Sequence, residues 1–271
     1  MAVPWRSSGR MDADVRGYCD RTGATASTAI NNFARGLKGM GMWENFACFL
    51  MPQTQSIGSG SFLPCFGGSG AGITGTLING PTWGLQGITF PFSSYIDVSG
   101  ANSLFRNKGA GWVCAVYSDG DPSGGDSGRS VVWFSTGINT AVRLALWSRR
   151  NMTYSVGLSR RLDTEGVVES SSGTAPGTGF HYHDCVAQWS ANTLASRIDG
   201  AANPVGAFSS AGVTADIASA SVRIGSSAPG ANRFSGIISM IAFSDRAVTL
   251  ATSEAFRSLY KSTVGRELGL P

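Results

Sequence analysis

The sequence predicts a mainly β protein: an antiparallel jelly-roll β-sandwich with a small N-terminal helical element and a C-terminal helix. Three observations carry this. Short runs rich in β-branched and aromatic residues follow one another from about residue 73 to residue 243, with no helical period between them. Turn chemistry separates several of them, most clearly Asp119-Gly120-Asp121-Pro122 and Asp199-Gly200. The composition agrees, because 14% charged residues and 37 glycines in 271 residues suit short strands joined by many turns. Such a pattern packs as a sandwich or barrel.

Residues 1–20 show no clear period and are expected to form an extended arm. Ile30, Phe33, Ala34 and Leu37 then follow the spacing of one buried helix face. Thr25 or Ser27 caps its start, and Gly39 and Gly41 end it. A second apolar stripe, Trp43, Phe46, Ala47 and Leu50, closes at Pro52 and either packs into the core or presents a docking surface. Residues 21–55 are therefore expected to be a helical docking element. Gly58-Ser59-Gly60 and Gly67 to Gly72 have loop composition.

Strands are predicted at Ile73–Leu77, Ile88–Phe92, Trp112–Tyr117, Val131–Phe134, Val142–Trp147, Met152–Leu158, Cys185–Trp189, Leu194–Ile198, Val222–Ile224 and Ile237–Phe243. A last helix places Phe256, Leu259 and Tyr260 on one face, capped by Thr249 or Thr252 and stopped by Gly265. Residues 56–271 thus form the sandwich. No internal repeat points to a propeller or solenoid.

From residue 180 onward the chain resembles the second half of a concanavalin A-like (laminin-G-like) domain. The pieces are Phe180-His181-Tyr182-His183 entering a strand, Leu194 to Gly200 ending in an Asp-Gly hairpin, Val222-Arg223-Ile224-Gly225, and Phe234-Ser235-Gly236-Ile237-Ile238 running to Phe243. A terminal helix carrying Leu250, Glu254, Leu259 and Tyr260 follows. Gly87-Ile88-Thr89-Phe90 and Ser94-Tyr95-Ile96 fit the first half more loosely. Arg21, Gly23, Ala24, Phe33, Gly36, Leu37, Lys38, Gly41 and Trp43 resemble a short helical module that precedes such sandwiches in proteins of tailed bacteriophages. That resemblance implies a virion structural protein, made in the host cytoplasm.

Several function classes are disfavoured by the residues themselves. Lysine occurs only at Lys38, Lys108 and Lys261, and the pairs Arg149-Arg150 and Arg160-Arg161 read as solvated or interfacial, so nucleic-acid binding is not expected. Cys19, Cys48, Cys65, Cys114 and Cys185 include no CxxC and are expected to be reduced, small buried hydrophobes. Met1 to Arg10 contain no apolar run resembling a secretory signal, and no stretch approaches 18 apolar residues, so no membrane partner is expected.

Gly125-Asp126-Ser127-Gly128 resembles a protease nucleophile motif, but both histidines, His181 and His183, follow it, the reverse of chymotrypsin-like order. His181 and His183 share one strand face without a local third metal ligand. Asp119, Asp121 and Asp126 are weak calcium candidates, equally explained as turn residues. Gly70-x-Gly72-x-x-Gly75 lacks the helix that a dinucleotide site needs after it. Glu44, Glu165, Glu169, Glu254 and Glu267 form no paired-acid pattern for glycoside hydrolysis.

No catalytic residue and no cofactor are therefore assigned. The expected role is that of a non-enzymatic capsid decoration or fibre protein. It would form a homo-oligomer and contact other virion proteins through Trp43, Phe46 and Leu50. Arginine favours such interfaces over lysine, and a disordered arm loses its ordering entropy only on docking. The alternative is a tail adhesin that stacks a host-surface glycan on Trp83, Trp147 or Trp189. Those tryptophans, like Trp112 and Trp133, otherwise belong to the core.

Overall fold

The computed structural model describes residues 11–25, 27–70, 72–120, 128–135, 142–150, 154–174, 176–216, 219, 221–227, 231–246 and 248–271. α1 (Ala13–Thr22) and α2 (Thr28–Gly39) come first, followed by β1 (Ala47–Leu50), β2 (Phe62–Pro64), β3 (Thr74–Ile78), β4 (Thr82–Trp83), β5 (Ile88–Phe90) and β6 (Tyr95–Ser99). The middle of the chain supplies β7 (Gly111–Asp119), β8 (Gly128–Ser135), β9 (Val142–Arg150), β10 (Tyr154–Ser159), β11 (Val168–Ser171) and β12 (His181–Gln188). β13 (Thr193–Ile198), β14 (Ala201–Ala202), β15 (Gly206–Ala207), β16 (Ser221–Ile224), β17 (Gly236–Ser244) and α3 (Leu250–Ser262) complete it.

Among the described residues the strands form two antiparallel sheets. The nine-stranded sheet runs β14-β13-β12-β7-β17-β5-β4, with β1 also on β17 and β15 also on β13. The eight-stranded sheet runs β11-β10-β9-β8-β16-β6-β3-β2. Between them lies an apolar core that includes Phe90, Phe105, Val113, Phe134, Leu144, Leu146, Trp189, Ile224 and Phe243. The predicted jelly-roll-like sandwich is thus the observed architecture. Asp199 and Gly200, at φ +53° and +88°, make the two-residue turn that their chemistry predicted, with Ile198 facing Ala201 across it.

A second apolar cluster lies outside the sandwich, between the three helices and the outer face of the nine-stranded sheet. Phe33 is its centre, with ring centroids 5.8–6.3 Å from those of Phe46, Phe66, Phe256 and Tyr260. Ser27 caps α2 by accepting from the Ile30 amide, and Thr249 caps α3 by accepting from the Thr252 amide.

Two expectations for the N-terminal region are corrected here. Residues 13–20, read as part of an extended arm, form α1 together with Arg21 and Thr22; residues 1–10 lie outside the described residues. Asp12 caps this helix, and Val15, Tyr18, Cys19 and Thr22 are buried at i, i+3, i+4 and i+7. Because Cys19 and Thr22 are weak apolar markers, the period is faint in the sequence. Nor is residue range 21–55 a separate docking element. Its second stripe is a three-residue 3₁₀ turn at Trp43–Asn45 followed by β1, which pairs with β17 from Ala47↔Phe243 to Leu50↔Met240. Phe46 and Leu50 are fully buried and Trp43 is 7% exposed. They anchor the helices to the sheet and are not available to an outside partner.

Candidate functional site

The two sandwich faces differ in cover. α1, α2 and α3 shield the outer face of the nine-stranded sheet. On the eight-stranded sheet, Leu63, Leu77, Ile96, Val98, Val132, Phe134, Leu144, Val222 and Ile224 point inward, so their alternate neighbours point out. The register then gives one cross-strand row: Leu158, Ala145, Trp133, Arg223, Asp97, Thr76 and Phe62.

The two halves of this face are unlike. On β8, β9 and β10, Trp133, Ala145, Trp147, Val156 and Leu158 form a small buried cluster flanked by Tyr154 and Val167. Residues 160–165 fold over beside it. The Arg143 guanidinium donates to the carbonyls of Arg160 and Arg161 and to Asp163 at 3.0 Å, and Arg161 is tied to Glu165 and Ser210.

The other half, on β16, β6, β3 and β2, is open. Arg223 lies over the Tyr95 ring with its guanidinium carbon 5.2 Å from the centroid. Its Nε stands 3.9 Å from Asp97 Oδ1, close enough for an ion pair but too far for a hydrogen bond. That Nε is itself buried and has no hydrogen-bond partner among the described residues, while the side chain as a whole is 14% exposed. Asp97 and Thr76 are exposed, and Phe62 is 47% exposed at the strip's end. A planar cation is thus held in place by the Tyr95 ring beside an exposed acceptor, with a second exposed aromatic side chain, Phe62, at the far end of the strip. Such a strip offers stacking faces together with hydroxyl-binding donors and acceptors.

The residues singled out by sequence are scattered. Trp189 is fully buried, and its indole N–H donates to Ser159 Oγ at 3.0 Å. Trp147 lies on the outer face but is 9% exposed, tilted against Trp133 at 5.9 Å. Trp83 is half-buried on the sandwich edge and donates to the Gly60 carbonyl at 2.9 Å. The three tryptophans therefore do not form one platform. Asp119 is not a free calcium ligand, because Arg129, Arg149 and Ser148 occupy its carboxylate; Asp121 and Asp126, with the Gly125–Ser127 motif, lie outside the described residues. Among those residues no group of three metal-ligating side chains occurs. Gly75 falls inside β3, so no helix follows the glycine motif.

Other side chains are similarly committed. Arg161, expected to be solvated or interfacial, is only 9% exposed and internally bonded. Burial alone would raise Glu165, but the Arg161 hydrogen bond and further donors bring its carboxyl below the ordinary value, the opposite of what a general acid needs. All five cysteines are buried and unpaired, and burial pushes the Cys65 thiol up to about 12 and those of Cys48, Cys114 and Cys185 well above their usual value, so they remain thiols.

Tyr95, Asp97 and Arg223 escaped the sequence reading. Their signal is the strict alternation of Tyr95, Asp97 and Ser99 with Ile96 and Val98, and of Ser221 and Arg223 with Val222 and Ile224. Alternation marks a half-exposed face without saying which exposed residues meet.

No protein-family model matches the chain, and no curated protein matches its sequence. Solved structures do share the fold. One is the carbohydrate-binding CBM40 domain of the Ruminococcus gnavus IT-sialidase, solved with α2,3-sialyllactose: 14% identity, TM-score 0.51, covering 64% of this chain and 96% of that one. Another is the Trypanosoma rangeli sialidase, at 12% identity and TM-score 0.54, covering 80% of this chain but 32% of that one. At these identities the likeness shows the fold: a β-sandwich of the kind found in sialidase-associated carbohydrate-binding domains.

Proposed function

We propose that this chain is a non-catalytic carbohydrate-binding β-sandwich whose ligand lies along the open half of the eight-stranded sheet. The observation that carries the reading is Arg223, stacked on Tyr95 and flanked by the exposed carboxylate of Asp97. A sugar offers what this strip lacks: ring C–H faces for Tyr95 and Phe62, and hydroxyls that accept from Arg223 and donate to Asp97. The CBM40 neighbour, solved with a sialylated glycan, supports the ligand class without assigning the sugar.

The resemblance of residues 21–50 to phage modules supplies the proposed setting, a virion surface with a host glycan as partner. Within that setting an adhesin fits better than a decoration protein, because the expected docking anchors Trp43, Phe46 and Leu50 are interior. Homo-oligomerisation and contacts with other virion proteins remain part of the proposal.

A glycan array followed by calorimetry with the whole chain tests the site. Loss of a hydrogen bond to a charged group costs roughly 1.5–3 kcal/mol, so Arg223→Ala is expected to weaken binding at least about tenfold. Tyr95→Ala should weaken it too, while Trp189→Phe, a core change, leaves it intact in folded protein. Absence of glycan binding by the native chain, or full binding by Arg223→Ala, overturns the assignment.

A further inference from the structure

At the end of the sandwich where β7 finishes and β8 begins, charge is enclosed between the sheets. Asp119 continues the inward-facing series Val113, Ala115 and Tyr117, and its side chain is fully buried. Arg129 donates to Asp119 through Nη1, and Arg149 donates from Nε at 2.8 Å, with Ser148 Oγ at 3.2 Å. Two guanidinium groups thus share one carboxylate, giving a local excess of one positive charge among the described residues. His181 and Asp199, whose charges also reach this layer, pair with each other at 2.7 Å and, while His181 is protonated, carry no net charge to cancel it.

The hydrogen bonding shows the same deficit. The Arg129 side chain is 0% exposed, yet among the described residues its Nε and Nη2 have no acceptor, and the adjacent Ser130 Oγ, also buried, has no partner. A buried guanidinium with unused N–H groups bears a large desolvation cost that a single shared carboxylate does not offset. Among the described residues donors outnumber acceptors here, and the uncompensated charge is positive. Water would accept the hydrogen bonds but leave the charge.

We propose that this buried charge cluster binds a small monovalent inorganic anion of halide size, held by Nε and Nη2 of Arg129. One such ion supplies both the missing acceptor and the missing charge. The side chain's complete burial excludes a bulky organic acid. The site is independent of the glycan strip, which lies on the other surface of the eight-stranded sheet.

Thermal unfolding of the whole chain in chloride, bromide and gluconate at equal ionic strength tests it, gluconate being too large to enter. Chloride and bromide should raise the melting temperature saturably, by about 2–4 °C for each kcal/mol of linked binding. Arg129→Met, which leaves Asp119 paired with Arg149, should abolish the halide dependence. Should that variant fail to fold, anomalous diffraction from bromide-grown crystals of the native chain decides, with a peak expected within hydrogen-bonding distance of Arg129. Equal melting in halide and gluconate, or bromide crystals without that peak, would falsify the assignment and leave the guanidinium to water or to the neighbouring loop.

Discussion

At the scale of single residues, β12 sets two histidines two positions apart on one inward face and gives them opposite titrations. His181, at the strand's open end, gains the Asp199 hydrogen bond and an ordinary histidine value raised by it, against a smaller lowering by burial. His183, one pleat deeper, is completely buried; desolvation drives it down to about 3 despite the pull of Asp199. The signs then follow from linkage. His181 binds its proton more tightly folded than unfolded, so its contribution is present below about pH 6.5 and is lost as pH rises through its folded value. His183 stays neutral when folded, so between about pH 6.5 and 3 the unfolded chain takes up a proton that the native chain refuses. Stability should therefore be greatest near pH 6.5 and fall by about 1.4 kcal/mol per unit on the acid side. Glu165, Glu254 and Asp12, all lowered, keep their full contribution above their ordinary values of 4.5, 4.5 and 3.8 and so add no slope between pH 8 and pH 5. Urea unfolding from pH 8 to pH 5 at fixed ionic strength measures both limbs. His183→Leu should flatten the acid limb; if that variant keeps the slope, the buried imidazole is not its source.

At the scale of elements, the contact of α2 with α3 turns on Gly36. A Cβ placed there would stand 2.4 Å from a Leu259 methyl carbon, so the Leu259 side chain rests directly on the glycine and would have to shift. In an exposed helix Gly→Ala gains about 1 kcal/mol; here overpacking should reverse the sign and cost about 1–3 kcal/mol. Gly36→Ala in a Leu259→Ala background should recover most of that loss, and an additive double-mutant cycle would show that the two residues do not meet.

The same elements show which parts of the fold were legible. α2 was readable because Ile30, Phe33, Ala34 and Leu37 are all strongly apolar, and the long strands because both of their faces are buried. β1 was misread as helical because Trp43, Phe46, Ala47 and Leu50 satisfy a helical spacing, although every residue of Ala47–Leu50 is buried. Short runs that are apolar throughout do not distinguish the two periods. The open strip was hidden for another reason: Arg223, Asp97 and Phe62 lie far apart in the chain, and only register brings them into one row.

At the scale of the whole molecule, the sandwich has one face shielded by helices and one face partly open, and that asymmetry decides which parts are separable. Removing residues 1–55 would delete α1, α2 and β1, strip β17 of a partner, and expose Trp112, Phe66, Met240, Phe256 and Tyr260. Truncating even one buried Phe or Trp to Ala costs about 3–5 kcal/mol. Losing Phe33, Trp43 and Phe46 together therefore approaches the roughly 5–15 kcal/mol that holds a whole domain folded. A chain beginning at Ser56 should lack a cooperative urea transition and near-ultraviolet circular dichroism, and should aggregate through the uncovered sheet face. A soluble, cooperatively folding 56–271 chain would instead mean that the sandwich stands alone and that the N-terminal helices are a detachable element. The open face survives this logic unchanged: nothing in α1, α2 or β1 touches Arg223, Tyr95 or Asp97, so binding lost on truncation reflects lost folding, whereas binding lost in folded Arg223→Ala reflects the site.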